Sequence, residues 1–444
     1  MTTTPRQCAF EIIRQFDKLW MRPSSSRLKA DSLINSVLLT NRKYWAPEDQ
    51  ALFTALVYTT LRHWVWLDYV IKKQSVRELN KIMPDARALL RLGITQLTLM
   101  DKIPPHAAVH TTVELAKKKR MHDDRVVSFI NGVLRGVQRR LQAEGFPPPT
   151  EPDDPVVFLS LKHYVPAWIV ERLISQYGMD TAKTFLKDLN TKANTAIRIN
   201  TLKITIEAYK ETLTQAGVVF ETVDSNIPEA LSLPAFSGSP TTLPGYSEGH
   251  FTVQDLSSCR VAHWVDPQPS EVVFDLCAAP GGKTTHMAAL MNNTGKLVAV
   301  EPAKERLTTL HENIQRLGVS NVDVCEAAAE TFGYLQKADR ILVDAPCSGL
   351  GTARRHPEVL LQVRPEEFDR YTQTQLAILE NAVKLLKPEG VLVYSTCSID
   401  KAENDAVIDS LLAKCPTLLL EKKEQFLPNP QFDGFFMARL RLKP

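Results

Sequence analysis

Two cysteines stand in short motifs suited to covalent chemistry on an electron-poor ring. Cys347 lies in Asp344-Ala345-Pro346-Cys347-Ser348-Gly349, and Cys397 in Tyr394-Ser395-Thr396-Cys397-Ser398. Each motif follows an apolar run that reads as a buried strand, 340–343 and 390–393. Both thiols therefore fall at strand ends, one of them close to Asp344. A thiolate adding to C6 of a cytosine or uracil makes C5 enamine-like and able to take a methyl from a sulfonium, splitting one difficult step into easier ones. A carboxyl group at N3 would stabilise the charge developing on the ring. A second thiol could act as acid or base while the C5 proton leaves and the first thiolate is eliminated. Free cysteine titrates near pH 8.5, so such a site must favour the thiolate. Lys283 is the candidate local cation. The residues alone do not say which thiol attacks.

A third motif, Asp275-Leu276-Cys277-Ala278-Ala279-Pro280-Gly281-Gly282-Lys283-Thr284, marks where a cofactor would lie. Gly281 and Gly282 lack a Cβ and let a ligand approach the backbone closely. The helix N-terminus that follows offers free N–H groups to a carboxylate or phosphate. Glu301 comes 20 residues after Gly281 and ends the next strand, an offset at which an acid typically binds the hydroxyls of a ribose. Gly282-Lys283-Thr284 resembles the end of a phosphate-binding loop, but Cys277 stands where that loop needs glycine, and Gly-x-Gly-x-x-Gly is absent. S-adenosyl-L-methionine fits better, with a ribose, an adenine and a carboxylate but no phosphate. A tight strand-to-helix turn without a ligand is the plainer alternative.

The elements that must hold these groups alternate. Strands are expected at 272–276, 297–301, 322–325, 340–343 and 390–394, with helices at 283–292, 303–317, 366–387 and 402–414. Such alternation gives a mostly parallel, Rossmann-like α/β sheet covered by helices. Its ligands bind outside the carboxyl ends of the strands, where Asp275, Glu301, Asp344 and Cys397 fall. Residues 5–142 read as all helical, with breaks near Pro47, Pro84 and Pro104-Pro105. The run Gly145 to Pro155 is rich in proline and enforces an extended path. Residues 156–250 look mixed, with helices at 166–177 and 181–189, a strand at 196–200, and a loop at 237–249. The expected organisation is multidomain: an all-α module over 1–145, a small α+β domain over 156–250 and the α/β domain over 251–444. That agrees with 444 residues at about 150 per domain.

The composition, 44% apolar and 23% charged, is that of a soluble globular chain and excludes a disordered or fibrous one. No apolar run approaches the roughly 18 residues that span a bilayer, and the start lacks a secretory core. No membrane association is expected, and a cytoplasmic location is. Seven scattered cysteines without a Cys-x-x-Cys pair argue against a disulfide scaffold and a zinc site, so no metal is expected. Cys8, Cys259, Cys277, Cys325 and Cys415 read as packing residues. Residues 1–150 hold 24 Lys and Arg against 13 Asp and Glu, and the rest 29 against 37. A basic leading module points to nucleic-acid contact, an ordinary solvated surface being the alternative. Its basic residues cluster late, at Lys117-Lys118-Lys119-Arg120, Arg135, Arg139 and Arg140.

The motifs around Asp275 to Thr284, Asp344 to Gly351 and Ser395 to Ser398 resemble the signatures of RNA cytosine-5 methyltransferases. Arg198-Ile199-Asn200, Val253 to Ser258, Arg354-Arg355-His356-Pro357-Glu358 and Asp433-Gly434-Phe435-Phe436 resemble further elements of that family. The leading module resembles the RNA-binding NusB fold around Ala107-Ala108-Val109-His110 and Phe129 to Arg135. That pairing is the arrangement of bacterial 16S rRNA cytosine-5 methyltransferases of the Sun/RsmB type. The resemblance implies Cys397 as nucleophile and Cys347 in product release, although a Pro-Cys cysteine is the nucleophile of the DNA enzymes. It implies that Cys277, Ala278, Ala279, Pro280, Gly281, Gly282 and Lys283 contact the cofactor. Glu301 would bind its ribose, and Asp344 would lie between cofactor and base.

Two residues depart from the pattern. Glu301 replaces a commoner aspartate. Ala328 stands where the family usually has an aspartate for the adenine amino group, with Glu326, Glu330 or backbone as substitutes. The expected substrate is RNA, 16S rRNA foremost, either naked or within a 30S assembly intermediate, with the enzyme a monomer. Alternatives are tRNA or 23S rRNA as substrate, or an RNA-binding ribosome-assembly factor with weak or lost activity. A Cys/His hydrolase using His286 or His356 lacks an orienting third group. Arg354 and Arg355 are expected to contact RNA phosphates.

Overall fold

The computed structural model describes residues 3–21, 27–118, 124–147, 149–151, 153–191, 193–236 and 238–444. Lys119 and Arg120 of the basic run, Pro148 and Pro152 of the proline-rich stretch, and Ser237 lie outside the described residues. The chain forms two compact units. One runs to Lys187 and also takes in Arg355–Val363; the other comprises Asp188–Arg354 and Arg364–Pro444.

The first unit is helical throughout its described elements. The expected breaks are helix starts: Pro47–Arg62, Pro84–Thr98 and Pro105–Lys118 each open on proline, where its missing N–H costs nothing and its φ is already helical. The same holds for Pro155–His163, whose N-cap Asp154 accepts from the Val157 N–H at 3.0 Å. Helix Pro84–Thr98 is buried on nearly every side, so its two arginines must be neutralised inside the core. Asp17 accepts from Arg87 Nη2 at 2.6 Å and from Arg91 Nη1 at 2.6 Å, and Arg91 Nε reaches Asp68 at 2.7 Å. The Arg91 guanidinium also lies 4.0 Å from the Trp64 ring. Burial opposes the Arg91 charge, yet Asp68 and Asp17 outweigh it and raise its pKa. The segment Arg355–Val363 completes this unit. Glu358 accepts from the Ala30 N–H at 3.0 Å, Gln362 bonds Leu28 N and O at 2.7 and 2.8 Å, and Leu361 enters the core.

The second unit holds two sheets. A three-stranded antiparallel sheet is built from β1 (Thr195–Ile199), β2 (Ala230–Leu233) and β3 (Phe251–Val253), in the order β2-β1-β3. The larger sheet contains β4 (Val272–Asp275), β5 (Lys296–Val300), β6 (Val322–Cys325), β7 (Ala338–Asp344), β8 (Leu386–Thr396), β9 (Leu418–Phe426) and β10 (Phe435–Leu442). Its order is β6-β5-β4-β7-β8-β10-β9. β4 to β8 are parallel, as the alternation predicts, and their apolar residues form the core on both faces. The sequence reading omitted β9 and β10, an antiparallel pair added at one edge. The chain leaves β4 toward β5 on one side and later returns to β7 on the other. That reversal opens the crevice in which sheets of this kind bind ligands.

Removing Asp17 would leave two buried guanidinium groups without their shared counter-charge. Asp17→Ala is expected to cost about 3–5 kcal/mol, read as a lower urea midpoint of the helical unit, whereas Arg14→Ala at the half-exposed Glu11 pair should cost under about 1 kcal/mol.

Candidate active site

The parallel register of β7 and β8 sets Asp344 beside Ser395. Both strands end there, Pro346 having no N–H with which to continue a ladder. The chain then turns at Gly349, where φ is +76°. Beyond those ends the two predicted thiols meet, with Cys347 Sγ 3.4 Å from Cys397 Sγ. Ser395 Oγ donates to Asp344 Oδ1 at 2.8 Å, and Lys283 Nζ donates to Asp344 Oδ2 at 2.7 Å. The Lys283 ammonium also lies 5.4 Å from the centre of the Phe435 ring, at the start of β10. All four expected catalytic side chains, Cys397, Cys347, Asp344 and Lys283, thus belong to one constellation.

Burial works against the Lys283 charge, but Asp344, with Cys397 and Asp275 adding, raises its pKa overall. The Cys397 thiol, then burial, then Glu403 and Asp344 push Cys347 well above the ordinary thiol range. Two thiols this close cannot both ionise readily.

The cofactor loop starts from Asp275, the last residue of β4. Thr284 Oγ1 donates to it at 2.7 Å, and burial pushes it up to about 6 against that bond. Gly281 has φ +100°, and a Cβ there would meet Leu310 Cδ1 at 2.7 Å. The carbonyls of the loop are clamped from outside. Arg306 donates to Ala279 O, Asn313 Nδ2 to Pro280 O at 2.9 Å, and Arg198 Nη2 to Gly282 O at 3.3 Å. Arg198 is buried, bonds Gln254 and Thr285 at 2.8 and 3.0 Å, and is lowered by burial to about 10. This gives Arg198-Ile199-Asn200 a structural meaning: Arg198 braces the loop, while Asn200 Nδ2 donates to Gly249 O and Leu317 O, each at 2.8 Å.

Glu301 follows β5 and is 1% exposed. Its Oε1 accepts from the Ala303 N–H at 3.1 Å. Its Oε2 lies 2.9 Å from Arg306 Nη1, close in charge, but has no aligned hydrogen-bond donor. That buried acceptor suits a ribose hydroxyl, so the residues fit the cofactor expected for the loop. Ala328 lies beyond β6, exposed, and Glu326 faces Lys304 at 3.8 Å.

Other expectations fare differently. Arg354 is not a phosphate contact: it is 1% exposed and donates to Asn429 O at 2.5 Å and Asp433 Oδ1 at 3.0 Å. Its partner segment makes the closest approach in the site. Gly434 N donates to Gly351 O, and a Cβ on Gly351 would lie 2.0 Å from Gly434 O. Arg355 and His356 belong to the helical unit, His356 lying 3.4 Å from Asp31. His286 is taken by Glu229, at 2.8 Å, with His263 on the same oxygen at 2.7 Å. These two imidazoles and the carboxylate lie within 4.8 Å of one another, a spacing a cation could use, but the buried charge of Arg198 opposes one. Cys259 is fully buried, and Cys8, Cys277, Cys325 and Cys415 are partly so.

Glu403 was missed. It is fully buried and accepts from Ser348 N at 2.7 Å, Gln375 Nε2 at 3.2 Å, and Ser348 Oγ and Ser398 Oγ at 2.5 Å each. Burial raises its pKa against the pull of the serine bonds. The only sequence signal was an acid six residues beyond Cys397.

In the helical unit, a groove of about 370 Å³ lies along helices Pro105–Lys118 and Asp124–Ala143. Val109, His110, Asn131 and Arg135, all from the NusB-like segments, line it together with Lys117. Arg139 and Lys118 are exposed nearby in sequence. Among the described residues, no helix is long and apolar enough to cross a membrane.

The chain matches the family model described as 16S rRNA methyltransferase RsmB/F over residues 262–441. It matches the NusB family over 3–139 and an RsmF/B-like ferredoxin-like domain over 165–237. It is 34% identical over 433 residues to the probable ribosomal RNA small subunit methyltransferase B of Bacillus subtilis, covering 93% of this chain and 94% of the relative. Identity to the like-named protein of Synechocystis is 33% over 456 residues, covering 98% and 99%. The crystal structure of PH0851 superposes with a TM-score of 0.81 at 26% identity, covering 99% of both chains. That of NSun6 from Pyrococcus horikoshii with SFG gives 0.58 at 26%, covering 63% of this chain and 98% of the other.

The His286 cluster makes stability pH-dependent. Burial, then the Arg198 charge, lower His286 to about 3, and its two imidazole partners hold Glu229 below the usual carboxylate range despite burial. As pH falls from about 6.5, the unfolded chain takes up the imidazole proton that the folded chain refuses, so stability is lost. Glu229 acts in the same direction, since its contribution is present above its unfolded pKa and lost as pH falls below it. The urea midpoint should drop between pH 7 and pH 5, and His286→Gln should flatten that slope; an equal slope in the variant would contradict the assignment.

Proposed function

We propose, for a chain that belongs to the RsmB/F family of rRNA methyltransferases, that it makes 5-methylcytosine in 16S rRNA through a covalent Cys397–C6 intermediate. The broader activity follows from membership: the protein is an S-adenosylmethionine-dependent RNA methyltransferase. The observation that carries the finer reading is the pair of thiols 3.4 Å apart beside the Asp344–Lys283 ion pair.

When bound, S-adenosylmethionine supplies an electrophilic methyl group. The loop from Cys277 to Lys283, with Glu301 and Asp344, would hold it. The target cytidine must leave its stack to reach the thiols, at a cost of a few kcal/mol that is smaller in a loop. The Cys397 thiolate, with the Lys283 ammonium close by, adds to C6. Asp344, anchored by Ser395, faces the charge developing along the N3 edge. Cys347, 3.4 Å from the Cys397 sulfur, is placed to serve the later proton transfer and elimination. This ordering agrees with the roles implied by the resemblance. The basic helical unit contributes salt-sensitive phosphate contacts that position the RNA without reading the base. The proposed working form is a monomer acting in the cytoplasm on 16S rRNA, free or within a 30S assembly intermediate.

The test is methyl transfer from labelled S-adenosylmethionine to 16S rRNA, free and in 30S intermediates. Cys397→Ala should abolish transfer. Cys347→Ala should retain the first transfer and accumulate a denaturation-resistant protein–RNA adduct. The opposite pattern would reverse the two thiols, and labelling confined to tRNA or 23S rRNA would move the substrate. Ala328→Asp should restore an acceptor for the adenine amino group and tighten cofactor binding by about 1–1.5 kcal/mol, roughly tenfold, by calorimetry. Unchanged affinity would mean that backbone or Glu330 already satisfies that donor.

A further inference from the structure

Cys347 and Cys397 sit on separate backbone segments 50 residues apart in sequence. Each is followed at once by a serine, and both serines end on one carboxylate. Ser348 Oγ and Ser398 Oγ donate to the same oxygen of Glu403 at 2.5 Å, and lie 3.1 Å from each other. The other oxygen takes the Ser348 N–H and Gln375 Nε2, which also donates to Pro346 O at 3.0 Å. Glu403 is itself immobilised. Tyr394 OH donates to its carbonyl at 2.6 Å, and its neighbour Asn404 accepts from Thr396 at 2.6 Å and donates to Ser398 O at 3.0 Å. A buried carboxylate carries a large desolvation cost, offset here by four donors rather than by a cation.

We propose that Glu403 is a positioning residue that fixes the separation of the two thiols and, through it, the release of product. It acts through the loops and touches neither sulfur. The proposal rests on reading Cys347 as the releasing thiol. Without the carboxylate, the two hydroxyls, the Ser348 N–H and the Gln375 amide lose their common acceptor, and the strand-end loops are left tied by the Gly351 N–H to Cys397 O and Ala345 N–H to Ser395 O bonds and by the Ser395–Asp344 bond. Those ties hold strand ends and carbonyls; Glu403 holds the residues adjoining the thiols. A glutamine of the same shape keeps one acceptor oxygen and can exchange donor for acceptor with the serine hydroxyls.

The experiment has two arms, so that a failure of this role and a failure of the Cys347 assignment look different. Without RNA, phenylarsine oxide condenses with two adjacent thiols, its arsenic forming two As–S bonds and its oxygen leaving with both protons as water. Peptide mapping should find wild type bridged between Cys347 and Cys397. Glu403→Ala should weaken bridging about tenfold or more, and Glu403→Gln should largely keep it. Ser398→Ala, which removes one arm only, should fall between and serves if Glu403→Ala does not fold. With RNA and labelled cofactor, Glu403→Ala should lower kcat at unchanged cofactor KM and accumulate adduct. Cys347→Ala/Glu403→Ala should hold adduct no longer than Cys347→Ala alone. Wild-type bridging in a folded Glu403→Ala, or additive effects in the double variant, would overturn the proposal. Lost bridging with no adduct in any variant would uphold the spacing role and overturn the release role of Cys347.

Discussion

The pairing of β7 with β8 is the constraint on which the site depends. A parallel register that sets Asp344 beside Ser395 decides where both chains stop, and hence that two thiols from distant segments come within 3.4 Å. A one-residue slip would turn every side chain of β8 to the opposite face. It would lift Ser395 from Asp344. The apolar residues of β7 and β8, buried on both faces, make that slip costly. The chemistry is therefore fixed by hydrophobic packing well below the reactive atoms.

Around that pairing, most polar side chains hold backbone rather than ligand. Arg306, Asn313 and Arg198 clamp the Ala279, Pro280 and Gly282 carbonyls of the cofactor loop. Arg354 and Asp433 hold the turn into β10, which brings Phe435 beneath Lys283. The ammonium thus sits between a carboxylate and an aromatic face, and stays charged despite being 14% exposed. Such prearranged charge needs little reorganisation when charge develops on a substrate.

The sequence was most readable where meaning is local. Apolar runs marked the parallel strands, prolines marked helix starts, and the thiol and glycine motifs lay at strand ends as read. What escaped was long-range. Glu403 gains its role from Ser348, 55 residues away, and nothing beside it in sequence hints at that. Arg354 read as an RNA phosphate contact because its partner Asp433 lies 79 residues on. β9 resisted because an edge strand is half solvated, so Leu418–Phe426 carries charges where a buried strand would be apolar.

The segment Arg355–Val363 bears on the order of synthesis. The helical unit is made first, but Leu361, Glu358 and Gln362, which complete its core and cover Leu28 and Ala30, emerge from the ribosome only after β7. For most of translation the nascent helical unit therefore lacks one of its own pieces. Folding of the first unit can begin early, but its last pieces dock only after most of the second unit has been made.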